Sequence, residues 1–413
     1  MAVRDPAIGL KRRGFGVSCA LAVSSLLASV SSAKAPNPRY NLDPLPKTTF
    51  ARRHSTLTHR LLDLESTTGA VRPEMYAWLD HMLDRAHAQI RVSPAELSTR
   101  DGALRILRAI DTLLTEENVV YPAWDFVGSV SEALTPVELD EDAVGRAKTV
   151  IENRNRTDHL NRRGKGTYYV ADCDIISFFY ISIADELNLP IVFVERPRVT
   201  DKIVGHNFVR WQLDGDYVDW DAMSGDFRAP ADTEYVLNDD QMIGYAYALL
   251  GDLWQRSWNM NSALSAYSES LRRGYQSVAV LNGITWLRAT ASDPTLRDAA
   301  EAMTYAARLC NDETTDPSYL DTCAAAAARA NQFQRATAWE TKAVDHETGI
   351  ASKARMQQRL AQYRLKHPYT QARRREETAL GECDSAGDLL GKVPGASCPD
   401  PSTTHALSRS LAP

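Results

Sequence analysis

One cysteine, one histidine and two aspartates of this sequence have the types and the order that chemistry at a thiol requires. Cys173 lies near the front of "ADCDIISFFYISIADELNLPI". A thiol nucleophile needs a thiolate, a base that takes its proton and a group that orients the base. Ile176, Phe179, Tyr180, Ile183 and Leu187 recur at helical spacing, and Asn188 with Pro190 ends the run. The spacing therefore predicts a helix with Cys173 in its first turn, where unpaired backbone amides and the positive end of the dipole favour a thiolate. The base has one candidate in the strand-rich region, His206, which opens "HNFVRWQL". Asp219 and Asp221 in "YVDWDAM" are two apart on a predicted strand and share a face, so either can hold an imidazole in its useful tautomer. Asp172 and Asp174 flank the thiol; turned toward it they raise its pKa, whereas an Asp174 that caps the helix points away.

The elements that must position these groups fall into a helical, then a mixed, then a helical texture. Residues 34–53 are proline-spaced and read as an extended leader. Apolar positions from Leu57 to Leu83 recur at helical spacing, and "DGALRILRAIDTLLTEE" adds a second helical stretch with Asp101 as its expected N-cap. The region 54–120 is thus expected to be mostly helical. After Pro190 come the short β-branched and aromatic runs "IVFVE", "HNFVRWQL" and "YVDWDAM", the last two joined by the turn signal Asp214–Gly215–Asp216. Residues 121–235 therefore read as an α+β unit, a helix with an antiparallel sheet.

Residues 241–366 return to helices and show repeats. Gly251, Trp254, Ala263 and Tyr267 fall at tetratricopeptide spacings for the packing positions of a helix hairpin. Leu320, Ala324, Ala327, Ala336 and Ala343 repeat the pattern, with Asn331 where a glycine usually ends the first helix. Such units bury their apolar faces only by stacking, so an all-α tetratricopeptide solenoid is expected. Residues 367–413 read as a polar, loop-like tail.

The run "ADCDIISFFYISIADELNLPIVFVE", then "GHNFVRW", then "YVDWDAMSG" resembles the core of the transglutaminase-like superfamily, papain-related proteins whose cysteine, histidine and aspartate arrive in that order. In that pattern an aromatic residue precedes the aspartate by four, as Tyr217 precedes Asp221, which makes Asp221 the third member and Asp219 the reserve. The resemblance covers roughly residues 160–230. The repeats are similar to those of bacterial transglutaminase-like proteins that carry such helical arrays. Together these resemblances imply a papain-like fold acting on an amide, with a platform for a protein or peptide partner. The backbone amide of Cys173 is one natural oxyanion donor, with Tyr168 or Tyr169 as candidates for another.

Composition limits the setting. The 413 residues are 44% hydrophobic and 24% charged, enough for the cores of two or three domains. Residues 1–33 carry Arg4, Lys11, Arg12 and Arg13, a short apolar stretch and the small-residue site "SSA", and read as an export signal rather than an anchor. Its removal takes the net charge of −6 to about −9, which argues against nucleic acid as partner. The one basic stretch, Arg154 to Gly166, reads as a solvated loop. No later apolar run spans a membrane. Export permits Cys310 to pair with Cys323 and Cys383 with Cys398, leaving Cys173 as a lone thiol. No cofactor and no metal are expected: the acidic cluster Asp214 to Asp226 lacks EF-hand spacing, and His81 and His87 do not share a helix face. Two functions follow as expectations. One is a periplasmic or secreted cysteine-dependent enzyme of the bacterial envelope, a peptidase, amidase or acyl transferase using Cys173, His206 and Asp221. The other is a non-catalytic scaffold whose degenerate core supports a peptide-binding helical array.

Overall fold

The structure, a computed structural model, describes residues 50–121, 128–140, 164–196, 206–221, 225–227, 235–311 and 313–372. The export signal, most of the leader, most of the basic stretch and the Cys383–Cys398 pair lie outside them. The chain divides into two compact units, residues 1–240 and 241–413.

The first unit is built around one helix. Helices α1 (Leu57–Glu65), α2 (Pro73–Gln89), α3 (Pro94–Leu97) and α4 (Arg100–Glu116) lead into strand β1 (Val119–Val120). The short α5 (Val130–Ala133), β2 (Val137–Leu139) and β3 (Gly166–Val170) follow, and then comes α6 (Cys173–Leu187). A single apolar stripe is expected on α6, yet residues 174 to 184 are buried all round. Both faces are covered because α1 and α2 pack on one side while a sheet packs on another. Phe178 stacks on Phe193 of the sheet at 5.4 Å, and Phe179 meets Trp78 of α2 at 5.4 Å. Asn188 ends α6 in the left-handed conformation, φ 53°, which asparagine tolerates better than most residues. Helix α4 is capped by Thr99, whose hydroxyl accepts from Gly102 N, so Asp101 sits inside the first turn rather than at the cap. Its charge still complements the dipole there.

The sheet has five antiparallel strands in the order β7–β6–β5–β4–β8: β4 (Ile191–Arg196), β5 (His206–Gln212), β6 (Tyr217–Asp221), β7 (Gly225–Phe227) and β8 (Tyr235–Val236). The β5–β6 hairpin turns through Gly215 at φ 76°, a conformation open to glycine without steric cost. Arg210 lies opposite Asp219 and Trp211 opposite Val218, which fixes the face of every side chain on both strands. A small second sheet, β1–β3–β2, lies ahead of α6, with β1 and β3 parallel.

The described part of the second unit is helical: α7 (Asp239–Arg256), α8 (Met260–Arg272), α9 (Val278–Thr290), α10 (Ala299–Leu309), α11 (Pro317–Arg329), α12 (Phe333–His346) and α13 (Ile350–Arg364). Small residues set the spacing between helices. Tyr267 is buried, and a Cβ at Gly251 or Gly283 would stand 2.5 Å or 2.7 Å from its ring. Alanine would raise helix propensity by about 1 kcal/mol, but the overlap with a pinned ring costs about 1–3 kcal/mol. Gly283→Ala should therefore lower the urea midpoint, and an unchanged or higher midpoint would show that the ring yields. Asn331 takes φ 59°, filling the left-handed position where glycine is usual.

Cys310 and Cys323 form a disulfide that ties the end of α10 to α11, a pairing compatible with an oxidising, exported setting. Among the described residues no helix is long and apolar enough to cross a membrane. Between α11, α12 and α13 lies a buried charged group. Arg359 donates from Nε and Nη2 to the two carboxylate oxygens of Asp321 at 2.6 and 2.9 Å. Glu340, with no exposed surface, lies 3.7 Å from Arg359 Nε. Burial and the neighbouring Asp321 push the Glu340 carboxyl up to about 10, so it stays protonated at neutral pH.

Candidate active site

Cys173 is the first residue of α6, and two carboxylates define its surroundings. Asp172 is the N-cap: Oδ1 accepts from the backbone amides of Asp174 and Ile175 at 3.2 and 3.3 Å. Because Asp172 takes the cap, Asp174 is released from that role and turns toward the sulfur. Cys173 Sγ donates to Asp174 Oδ1 at 3.3 Å, and the Asn207 side-chain amide donates to the same oxygen. Of the two orientations open to Asp174, the structure therefore adopts the one that quiets the thiol. Burial, then the charges of Asp174 and Asp172, hold the Cys173 pKa well above its ordinary value, while the backbone N–H of Asn207 opposes them. The helix terminus loses this contest: a dipole contribution of about 0.3–1 kcal/mol cannot offset enclosure beside two carboxylates.

Asp174→Asn removes the nearest negative charge and keeps the shape. The pH profile of Cys173 alkylation should then shift toward neutrality, with several-fold faster modification near pH 7. A profile that does not move would assign the raised pKa to enclosure and Asp172.

His206 opens β5, directly ahead of the residue whose amide meets the sulfur. Successive residues of a strand face opposite sides. Asn207 turns its side chain to the first turn of α6, and His206 turns to Asp221 at the end of β6. His206 Nε2 lies 3.2 Å from Asp221 Oδ1, within ion-pair distance but without the alignment of a full hydrogen bond. A proton on Nε2 facing Asp221 would leave Nδ1 as the basic nitrogen. Asp219 is committed elsewhere, since Arg210 donates to its two oxygens at 2.6 and 3.1 Å while stacking 3.8 Å from the Tyr217 ring. The structure thus brings His206 to Asp221, and Cys173 to Asp174 and Asn207. The Cys173 thiol hydrogen bond goes to Asp174, not to His206.

The two strand tyrosines named as oxyanion candidates are engaged away from the sulfur. Tyr168 donates to Gly164 O, and the Tyr169 ring packs 5.0 Å from Trp78. A different tyrosine fills this space. Tyr121 follows β1, whose Val120 carbonyl accepts from Ala171 N just ahead of the Asp172 cap. Its phenol is raised by burial and then by the charges of Cys173, Asp172, Asp221 and Asp174, so it stays a protonated hydroxyl within electrostatic reach of that group. Trp220 adds a clamp, its Nε1 donating to Tyr180 OH at 2.8 Å and tying the end of β6 to α6.

Asn207 has a signal in the sequence, because the residue after a strand histidine must face the other way. Tyr121 has none, since a short parallel pairing places it. Among the described residues no group of three or more His, Cys, Asp or Glu is disposed to hold a metal ion. No family model matches the chain, and comparison with curated proteins and with solved structures gives no match.

Proposed function

We propose that the protein is an exported cysteine-dependent amide-processing enzyme with a transglutaminase-like, papain-related core and a tetratricopeptide platform for a protein or peptide partner. The observation that carries the reading is the His206–Asp221 pair, held on adjoining strands one residue from the amide that meets Cys173 Sγ. In this reading the His206 imidazole, which rests against Asp221 while the thiol bonds Asp174, must swing toward the sulfur before Nδ1 takes the thiol proton. The sulfur then forms a bond to the amide carbonyl carbon, and the C–N bond breaks as His206 returns the proton to the leaving amine. Water or a second amine then cleaves the thioester and frees the thiol. Asp221 steadies the imidazolium. The backbone amide of Cys173 and the Tyr121 hydroxyl are the donors available to the carbonyl oxygen.

The thiol bonded to Asp174 favours a second reading, a scaffold whose core has lost catalysis. Iodoacetamide labelling of the native protein near neutral pH separates the two. On the enzyme reading Cys173 is modified in the folded state and His206→Ala slows the reaction. Modification only after denaturation would favour the scaffold.

A further inference from the structure

Two residues beyond the end of helix α13 at Arg364, Lys366 takes a left-handed φ of 59° that turns the chain back on itself. Residues 367–372 then run without secondary structure of their own over helices that lie far away in the sequence. Gln371 N donates to Thr290 O at the end of α9 at 2.8 Å. Arg329 of α11 donates from Nη2 to Tyr369 O at 2.6 Å and to Thr370 Oγ1 at 2.7 Å, while its Nε holds Ala289 O at 2.6 Å. The Tyr369 ring lies 5.9 Å from that of Trp286 on α9 and 5.4 Å from the Arg359 guanidinium on α13. It packs against the cluster of Ala324, Ala327, Ala328 and Tyr363.

This is how an extended peptide is held: main-chain groups of alternate residues are bonded, and one aromatic side chain enters a seat lined by small residues and a cation. The alanines of α11 leave room for the ring, and Arg359 is fixed under it by Asp321. Tyr369 stays partly exposed, as does Gln371, so the segment lies on the helices rather than inside them.

We propose that this face of α9, α11 and α13 is a binding surface for extended peptide segments with an aromatic anchor, and that residues 367–372 are the occupant it carries in the free protein. The inference rests on the platform reading of the second unit and not on the chemistry of Cys173. A partner peptide with an aromatic residue followed by a hydroxyl-bearing one gains the same contacts by displacing the tail. It must compete with a tethered segment whose effective concentration is on the order of millimolar, which lowers apparent affinity by the fraction of time the surface is open.

The test uses the full-length protein and a fluorescein-labelled peptide with the sequence of Lys366 to Ala372, read by anisotropy. Tyr369→Ala removes the anchor from the tethered copy, and Gln371→Pro removes its N–H donor together with its side-chain amide while leaving the anchor in place, so that one variant remains informative if the other fails to fold. The peptide should bind both variants at least tenfold more tightly than the wild-type chain, and a peptide carrying its own Tyr369→Ala change should not bind. Equal binding to wild type and variants, or none to either variant, would overturn the proposal. An array of unrelated extended octapeptides separates the causes: binding there without binding of the tail peptide leaves the platform reading standing and removes this occupant, whereas silence on both removes the platform too.

Discussion

On the enzyme reading Cys173→Ala should abolish amide turnover, by a factor of at least about a thousand, because the acyl-enzyme of that reading forms on its sulfur. His206→Ala should cost nearly as much, and the double variant little more than either. Nucleophile and base act as one unit, so their losses do not add. Asp221→Asn should cost less than either but still by orders of magnitude, since it removes the charge 3.2 Å from Nε2 and an amide N–H turned to Nε2 would move the proton to Nδ1, the wrong tautomer. The substrates to survey are protein, peptide and peptidoglycan-stem amides. Turnover retained by Cys173→Ala on all of them would remove the enzyme reading.

Arg359→Met should destabilise the second unit by about 3–5 kcal/mol near neutral pH, the range for removing one partner of a buried ion pair. The cation bonded to Asp321 at 2.6 and 2.9 Å is the one hydrogen-bonded to it in this buried group, with Arg355 acting only through its charge. The sign of the pH dependence follows from Glu340, whose folded pKa of about 10 exceeds its ordinary value of 4.5. Its contribution is fully present below the unfolded pKa and is lost as pH rises through the folded one, so stability falls across that window. The slope should steepen in Arg359→Met, with the variant closer to wild type at pH 5 than at pH 8. Adding Asp321→Asn and Glu340→Gln should restore much of the loss, because neutral groups need no counter-charge. Thermal melts across pH 5 to 9 read all three. A pH-independent loss in Arg359→Met would assign it to packing on Trp286 and Tyr369 instead.

What was legible in the sequence is what local rules decide. The start of α6 at Cys173 follows from helical spacing, its end from Asn188, the β5–β6 hairpin from a glycine between two aspartates, and the Cys310–Cys323 bond from proximity. What was not legible depends on competition or on distant chain. Asp172 and Asp174 are equally plausible caps by type, and only the folded helix shows that the first takes the amides and leaves the second for the sulfur. Strands of two to five residues ahead of α6 carry no alternation long enough to read, so β1 and the placement of Tyr121 were hidden. Glu340 reads as an ordinary surface residue of a polar helix, yet α11 and α13 bury it completely.

The central claim is that Cys173 is a nucleophile served by His206. Its most direct test is covalent capture with a peptidyl vinyl sulfone, an electrophile that presents an amide-bearing chain to the thiol, followed by mass mapping of the native protein. The account predicts a single adduct on Cys173 that His206→Ala greatly slows and Asp174→Asn accelerates. A native protein that forms no adduct, while the denatured chain is alkylated at Cys173, would contradict it.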